Sequence, residues 1–124
     1  ILQQEKPEDF VLATGVTTTI RDFVKMSFLE IGVKIDFRGK DEQEEGYIVE
    51  NNSQYKLEVG KTIVKVDPKY YRPTEVDLLI GDPTKANTKL GWKPKYNLKM
   101  LVNEMVKSDL LLFQKEFILK NNGY

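Results

Sequence analysis

The amino-acid sequence predicts a small α+β domain: three helices with short strands between them. Apolar residues recur at helical spacing in two long segments, around Ile20–Ile31 and Leu98–Ile118, and an Asp82-Pro83 start signal opens a third, shorter helix. Three short runs, Lys34–Phe37, Tyr47–Glu50 and Thr62–Val66, have strand character and are separated by turn residues. No internal repeat, low-complexity tract or Pro/Gly-rich linker divides the 124 residues, so they read as one domain, 1–124, with a real but modest core.

Each element has a local reason. Phe10–Ala13 is a continuous apolar run bounded by Thr14-Gly15, the pattern of a strand covered on both faces. Thr17, Thr18 and Thr19 offer N-cap hydroxyls and Asp22 favours the positive helix end; capping is a commoner role for such threonines than holding a phosphate. Ile20, Phe23, Val24, Phe28 and Ile31 form one stripe, and Gly32 supplies the left-handed residue that stops the helix. The acidic residues Asp41, Glu42, Glu44 and Glu45 lack the ligand order of a calcium loop and predict a solvated loop. Asn51-Asn52-Ser53 and Val59-Gly60-Lys61 carry turn chemistry, which makes the stretch between the second and third strands an excursion or hairpin. Val76–Ile80 reads as an apolar strand ended by Gly81, and the helix capped by Asp82 should run to Leu90 with Gly91 as its stop. Asn97 caps a final helix whose apolar band widens at Leu111, Leu112, Phe113, Phe117 and Ile118, predicting contact with another domain or subunit.

Composition excludes several functions. Forty per cent hydrophobic and thirty-one per cent charged residues give an ordinary globular balance. Nineteen basic residues against nineteen acidic ones leave no net charge, so no long-range field draws the chain to nucleic acid or membrane, and any anion site must be local. The sequence has neither cysteine nor histidine, which removes disulfides, thiolate catalysis, Ser-His-Asp chemistry and the usual zinc ligands. No apolar run approaches the roughly 20 residues of a membrane span, and a cytoplasmic setting is expected. No G-x-G-x-x-G or P-loop pattern occurs, and no tyrosine is followed four residues later by lysine; Tyr96 and Lys99 have the wrong spacing. The chain is expected to contain no catalytic residue and no cofactor site of its own. Its opening, Ile1-Leu2-Gln3-Gln4-Glu5-Lys6-Pro7, reads as the end of a helix cut from something longer.

The most site-like stretch runs from Val66 to Pro83. Pro68 and Pro73 restrict the backbone around Tyr70, Tyr71 and Arg72. The Arg72 guanidinium is a planar fork suited to phosphate or carboxylate, and Glu75 can accept hydrogen bonds from ribose hydroxyls. On residue chemistry alone, a surface ion pair contributing roughly 0 to 1 kcal/mol is the stronger reading of these two residues, and ligand binding the second.

A resemblance reverses that order. Val11-Leu12-Ala13-Thr14-Gly15 with Thr19-Ile20-Arg21-Asp22-Phe23-Val24, then Val66-Asp67-Pro68 with Tyr71-Arg72-Pro73-Thr74-Glu75-Val76-Asp77, Asp82-Pro83-Thr84-Lys85-Ala86 and Leu90-Gly91-Trp92-Lys93-Pro94, closely resemble the C-terminal part of the GDP-mannose 4,6-dehydratases, a branch of the extended short-chain dehydrogenase/reductases. The stretch Glu50–Tyr55 departs from the family pattern, where a shorter basic turn is usual. The resemblance implies a small substrate-binding domain lacking the Rossmann domain, with residues 1–15 shared with that missing N-terminal domain. It implies that Arg72 contacts the phosphate or nucleotide of GDP-mannose and Glu75 the ribose, while NADP and the catalytic residues belong to the Rossmann domain. It also implies homo-oligomers. Two alternatives stand beside it: a related enzyme acting on another nucleotide sugar, and a stand-alone interaction module that uses its C-terminal helix.

Overall fold

The computed structural model describes residues 1–72 and 79–123, and the chain divides into two units. One comprises Thr19–Thr74 and Leu98–Tyr124, the other Ile1–Thr18 and Glu75–Asn97. Among the described residues there are three α-helices and a three-stranded antiparallel sheet, which is the predicted α+β class.

The first unit opens with α1, Ile20–Glu30. Thr19 is its N-cap, with Oγ1 accepting from the Asp22 amide at 3.0 Å and donating to the Asp22 carboxylate at 2.7 Å, so this threonine caps as expected. Gly32 follows the C-cap in the left-handed region at φ 79°. The sheet has the order β1-β2-β3, with β1 at Val33–Arg38, β2 at Glu45–Asn51 and β3 at Thr62–Lys65. Alternation in β1 buries Val33 and Ile35 beside Ile48 of β2, and Val24, Phe28 and Ile31 of α1 pack against this cluster. Phe37 lies opposite Gly46, where an added Cβ would sit 3.1 Å from the ring; the glycine makes room for the aromatic side chain.

The excursion between β2 and β3 organises itself on Asn51, whose side-chain amide donates to the Tyr55 and Leu57 carbonyls at 2.9 and 3.0 Å. Between β1 and β2 the predicted solvated loop is instead a 3-10 turn, Asp41–Gln43, with Glu44 and Glu45 engaged by Arg21 and Arg38. The helix α3, Leu98–Asn121, begins directly after Asn97 and packs on α1; Val102 is its buried residue, and the Asn103 amide donates to Glu30 at 2.5 Å. Beyond that contact its apolar band is exposed at Leu111, Leu112, Phe113, Phe117 and Ile118.

The second unit is built on α2, Thr84–Leu90. The helix starts one residue later than the sequence suggests. The Pro83 carbonyl already accepts from the Asn87 amide, which makes Pro83 the N-cap, while Asp82 holds the turn by accepting from the Thr84 amide and hydroxyl at 2.9 and 2.5 Å. Gly91 ends the helix at φ 63° as expected. Lys85 and Lys89 converge on Glu8 at 3.0 and 2.7 Å, and Lys85 also stands 5.0 Å over the Phe10 ring. Here the Phe10–Ala13 expectation is corrected: the segment is not a strand, and Val11 and Leu12 are exposed. An apolar run becomes a strand only beside a backbone that completes its ladder, and none pairs with it among the described residues. The expected strand Val76–Ile80 lies mostly outside the described residues; Leu79 and Ile80 carry no strand.

Among the described residues, four carboxylates are held below their ordinary range: Glu8 by Lys89 and Lys85, Asp36 by Lys25 and the Phe37 amide, Glu45 by Arg38, and Asp82 by Thr84. A depressed folded value means that the stabilisation is present above the unfolded value and is lost as pH falls through the folded one. Thermal melts followed by circular dichroism are therefore expected to hold steady down to about pH 5 and fall progressively below about pH 4, and Asp36→Asn should flatten part of that slope. An unchanged slope in this variant would remove the Lys25–Asp36 pair from the account.

Candidate functional site

The candidate site is built on the loop that leaves β3, residues 66–72. Asp67 shapes its entry: the carboxylate accepts from the Lys69 amide at 3.0 Å, and its carbonyl accepts from the Tyr70 amide at 2.9 Å. Lys69 then lies 5.4 Å over the Tyr70 ring, and both side chains are exposed. Tyr71 is the half-buried residue of the stretch 67–72. Burial first, then the charges of Asp41 and Glu42, raise its phenol above the ordinary tyrosine range. Arg72 follows and is exposed; it is the residue for which the family resemblance implies a phosphate or nucleotide contact. Glu75 lies outside the described residues.

Beside the start of this loop is an open groove of about 390 Å³, lined by the first turn of α1 and the end of β3, with Arg21, Glu44, Val64, Lys65 and Val66 among its walls. Arg21 and Glu44 form a two-pronged pair across it, one prong from Nη2 to Oε2 at 3.1 Å, and Glu44 raises the guanidinium further above its already high value. The sequence reading did not find this pair, which joins residues far apart in the chain and is announced by no local spacing.

The arrangement suits recognition of an anion carried on a flat or hydroxylated group: Lys69 and Arg72 supply charge, and Tyr70 an aromatic face. Among the described residues, the shifts at Glu8, Asp36, Glu45 and Asp82 are all downward, which is the opposite of what a carboxyl group transferring a proton near neutral pH needs. Among the described residues, the left-handed glycines Gly15, Gly32, Gly39, Gly60, Gly91 and Gly123 are isolated from one another, and no described helix opens on the kind of glycine-rich turn that cradles a dinucleotide.

The family model for GDP-mannose 4,6 dehydratase matches residues 1–105. The chain belongs to the GDP-mannose 4,6-dehydratase family. A relative in Dictyostelium discoideum named GDP-mannose 4,6 dehydratase is 53% identical over 124 residues, covering all of this chain and 31% of the relative. The human protein of that name is 50% identical over 114 residues, 92% of this chain and 28% of the relative, and the one from Yersinia enterocolitica is 46% identical over 126 residues, all of this chain and 34% of the relative. The chain thus spans about a third of the length of these curated GDP-mannose 4,6-dehydratases. The family match includes the whole loop 66–72 and ends at Met105, within α3.

Proposed function

We propose that this chain is the nucleotide-sugar-binding portion of a GDP-mannose 4,6-dehydratase, which converts GDP-mannose to GDP-4-keto-6-deoxymannose. The observation that carries this reading is the likeness of the whole chain to proteins bearing that name, with the Arg72 loop inside the matched region. Arg72 serves the phosphates and Glu75 the ribose. Catalytic groups and NADP belong to an N-terminal Rossmann domain that this chain does not contain, and the chain's own work is to bind and orient the sugar nucleotide. Exposed Val11 and Leu12 are side chains that such a domain would cover, which supports placing residues 1–15 against it. A homo-oligomeric, cytoplasmic enzyme completes the proposal.

The experiment is equilibrium binding of GDP-mannose to the full-length protein. Arg72→Ala is expected to weaken it about tenfold or more, the scale of a lost charged hydrogen bond. Unchanged affinity would remove Arg72 from the site. Competition by GDP but not UDP is expected; equal competition would favour a relative acting on another nucleotide sugar.

A further inference from the structure

We propose that the groove beside the candidate loop is a guanine subsite, in which Arg21 recognises the N7/O6 edge of the base and Glu44 holds the guanidinium in place to do so. The inference rests on the reading of the chain as a binder of GDP-mannose and names the residue that tells guanine from other bases.

Arg21 stands in the first turn of α1 and Glu44 just before β2, and both line the open groove of about 390 Å³. Glu44 takes one edge of the guanidinium: Nε donates to Oε1, and Nη2 to Oε2 at 3.1 Å. A guanidinium carries five N–H groups in one rigid plane. The side-on grip therefore leaves the outer edge, Nη1 and the second hydrogen of Nη2, without a partner among the described residues. Two parallel donors on a held plane match the paired acceptors N7 and O6 of guanine. Adenine puts a donor where guanine has O6, and uracil offers only O4, so the same edge disfavours both. The Glu44 side chain is 18% exposed and that of Arg21 57%, which makes the carboxylate the anchored member and the guanidinium the presented one. A phosphate would also engage the two donors, but it would bring negative charge close to Glu44, whereas a base edge is neutral. The rest of the groove suits a base as well. Ile20, Val24, Phe37, Val64 and Val66 line it with apolar surface, and Val66 leads directly into the loop that carries Arg72. Base and diphosphate of one nucleotide would then be served from one continuous stretch of chain.

The test is the affinity of the full-length protein for GDP and for 7-deaza-GDP, which lacks the N7 acceptor, with thermal melts confirming that each variant is folded. The parent is expected to bind GDP about tenfold more tightly than 7-deaza-GDP, the scale of one charged hydrogen bond. Arg21→Ala should weaken GDP binding about tenfold or more and bring the two ligands level, because the donor that senses N7 is gone. Arg21→Lys keeps the charge but not the planar fork, and should behave like the alanine variant. Glu44→Gln leaves the guanidinium a single acceptor in place of two, so the preference for GDP should shrink to about threefold; an undiminished preference would strike Glu44 from the proposal. No preference in the parent, or one that survives in Arg21→Ala, overturns the guanine subsite. Recovery of GDP affinity in Arg21→Lys overturns it in favour of a simple anion site. Each of these results leaves the Arg72 reading standing. Conversely, if Arg72→Ala binds GDP normally while the preference still depends on Arg21, the phosphate assignment falls and the guanine subsite stands.

Discussion

Ile48→Ala is expected to destabilise the protein by about 2 to 5 kcal/mol, measured by urea unfolding. Ile48 sits in the middle strand, fully buried against Val33 and Ile35, with Leu57 and Ile63 closing over the same cluster. Truncation removes its contacts with both faces of that cluster at once and leaves a cavity that a small sheet cannot readily collapse around. Ile48→Val should cost only about 0.5 to 1.5 kcal/mol, and the neighbouring Val49, 40% exposed on the other side of the strand, should cost less still as alanine. A loss under about 1 kcal/mol for Ile48→Ala would mean that the sheet is not where the unit keeps its core.

Gly39→Ala is expected to cost about 2 to 4 kcal/mol, from two separable causes. Its φ of +83° is strained for any residue with a Cβ, and the added carbon would meet backbone atoms of Gln43 at 2.3 and 3.0 Å, which cannot rotate away as a side chain could. Gly60 offers the control. At φ +89° it has the same backbone problem but nothing within 4 Å of the added Cβ, so Gly60→Ala should show the left-handed penalty alone, about 1 to 2 kcal/mol. Equal losses at the two positions would show that the 3-10 turn yields to the added carbon.

Much of the first unit was legible because its signals are local. Thr19 caps α1, Gly32 stops it, the stripe from Val24 to Ile31 faces the sheet, and the three strand-like runs pair in an antiparallel sheet. What was not legible depends on partners distant in sequence. Phe10–Ala13 has strand composition, but composition cannot supply the neighbouring backbone that makes a strand. The acidic run 41–45 looked solvated because Arg21 and Arg38, which engage Glu44 and Glu45, are identifiable as its partners only in three dimensions. In the candidate site, Arg72 could be singled out as a planar cation on a proline-stiffened loop, but residue chemistry alone favoured a surface pair, and only the surrounding motif raised it above that.

The exposed half of α3 also matters for how the protein behaves as a colloid. Leu111, Phe113 and Phe117 are 67%, 65% and 67% exposed, on a chain with zero formal net charge and an isoelectric point near 6.6. Close to neutral pH, molecules approaching one another meet little electrostatic repulsion, while each presents an oily helix end. With neither histidine nor cysteine to titrate, the net charge stays near zero over roughly three pH units, so solubility should pass through a broad minimum between about pH 5.5 and 8.5 and recover only where the carboxylates protonate or the lysines lose their charge. Replacing Phe117 with glutamate would both shift that minimum downward and make it shallower.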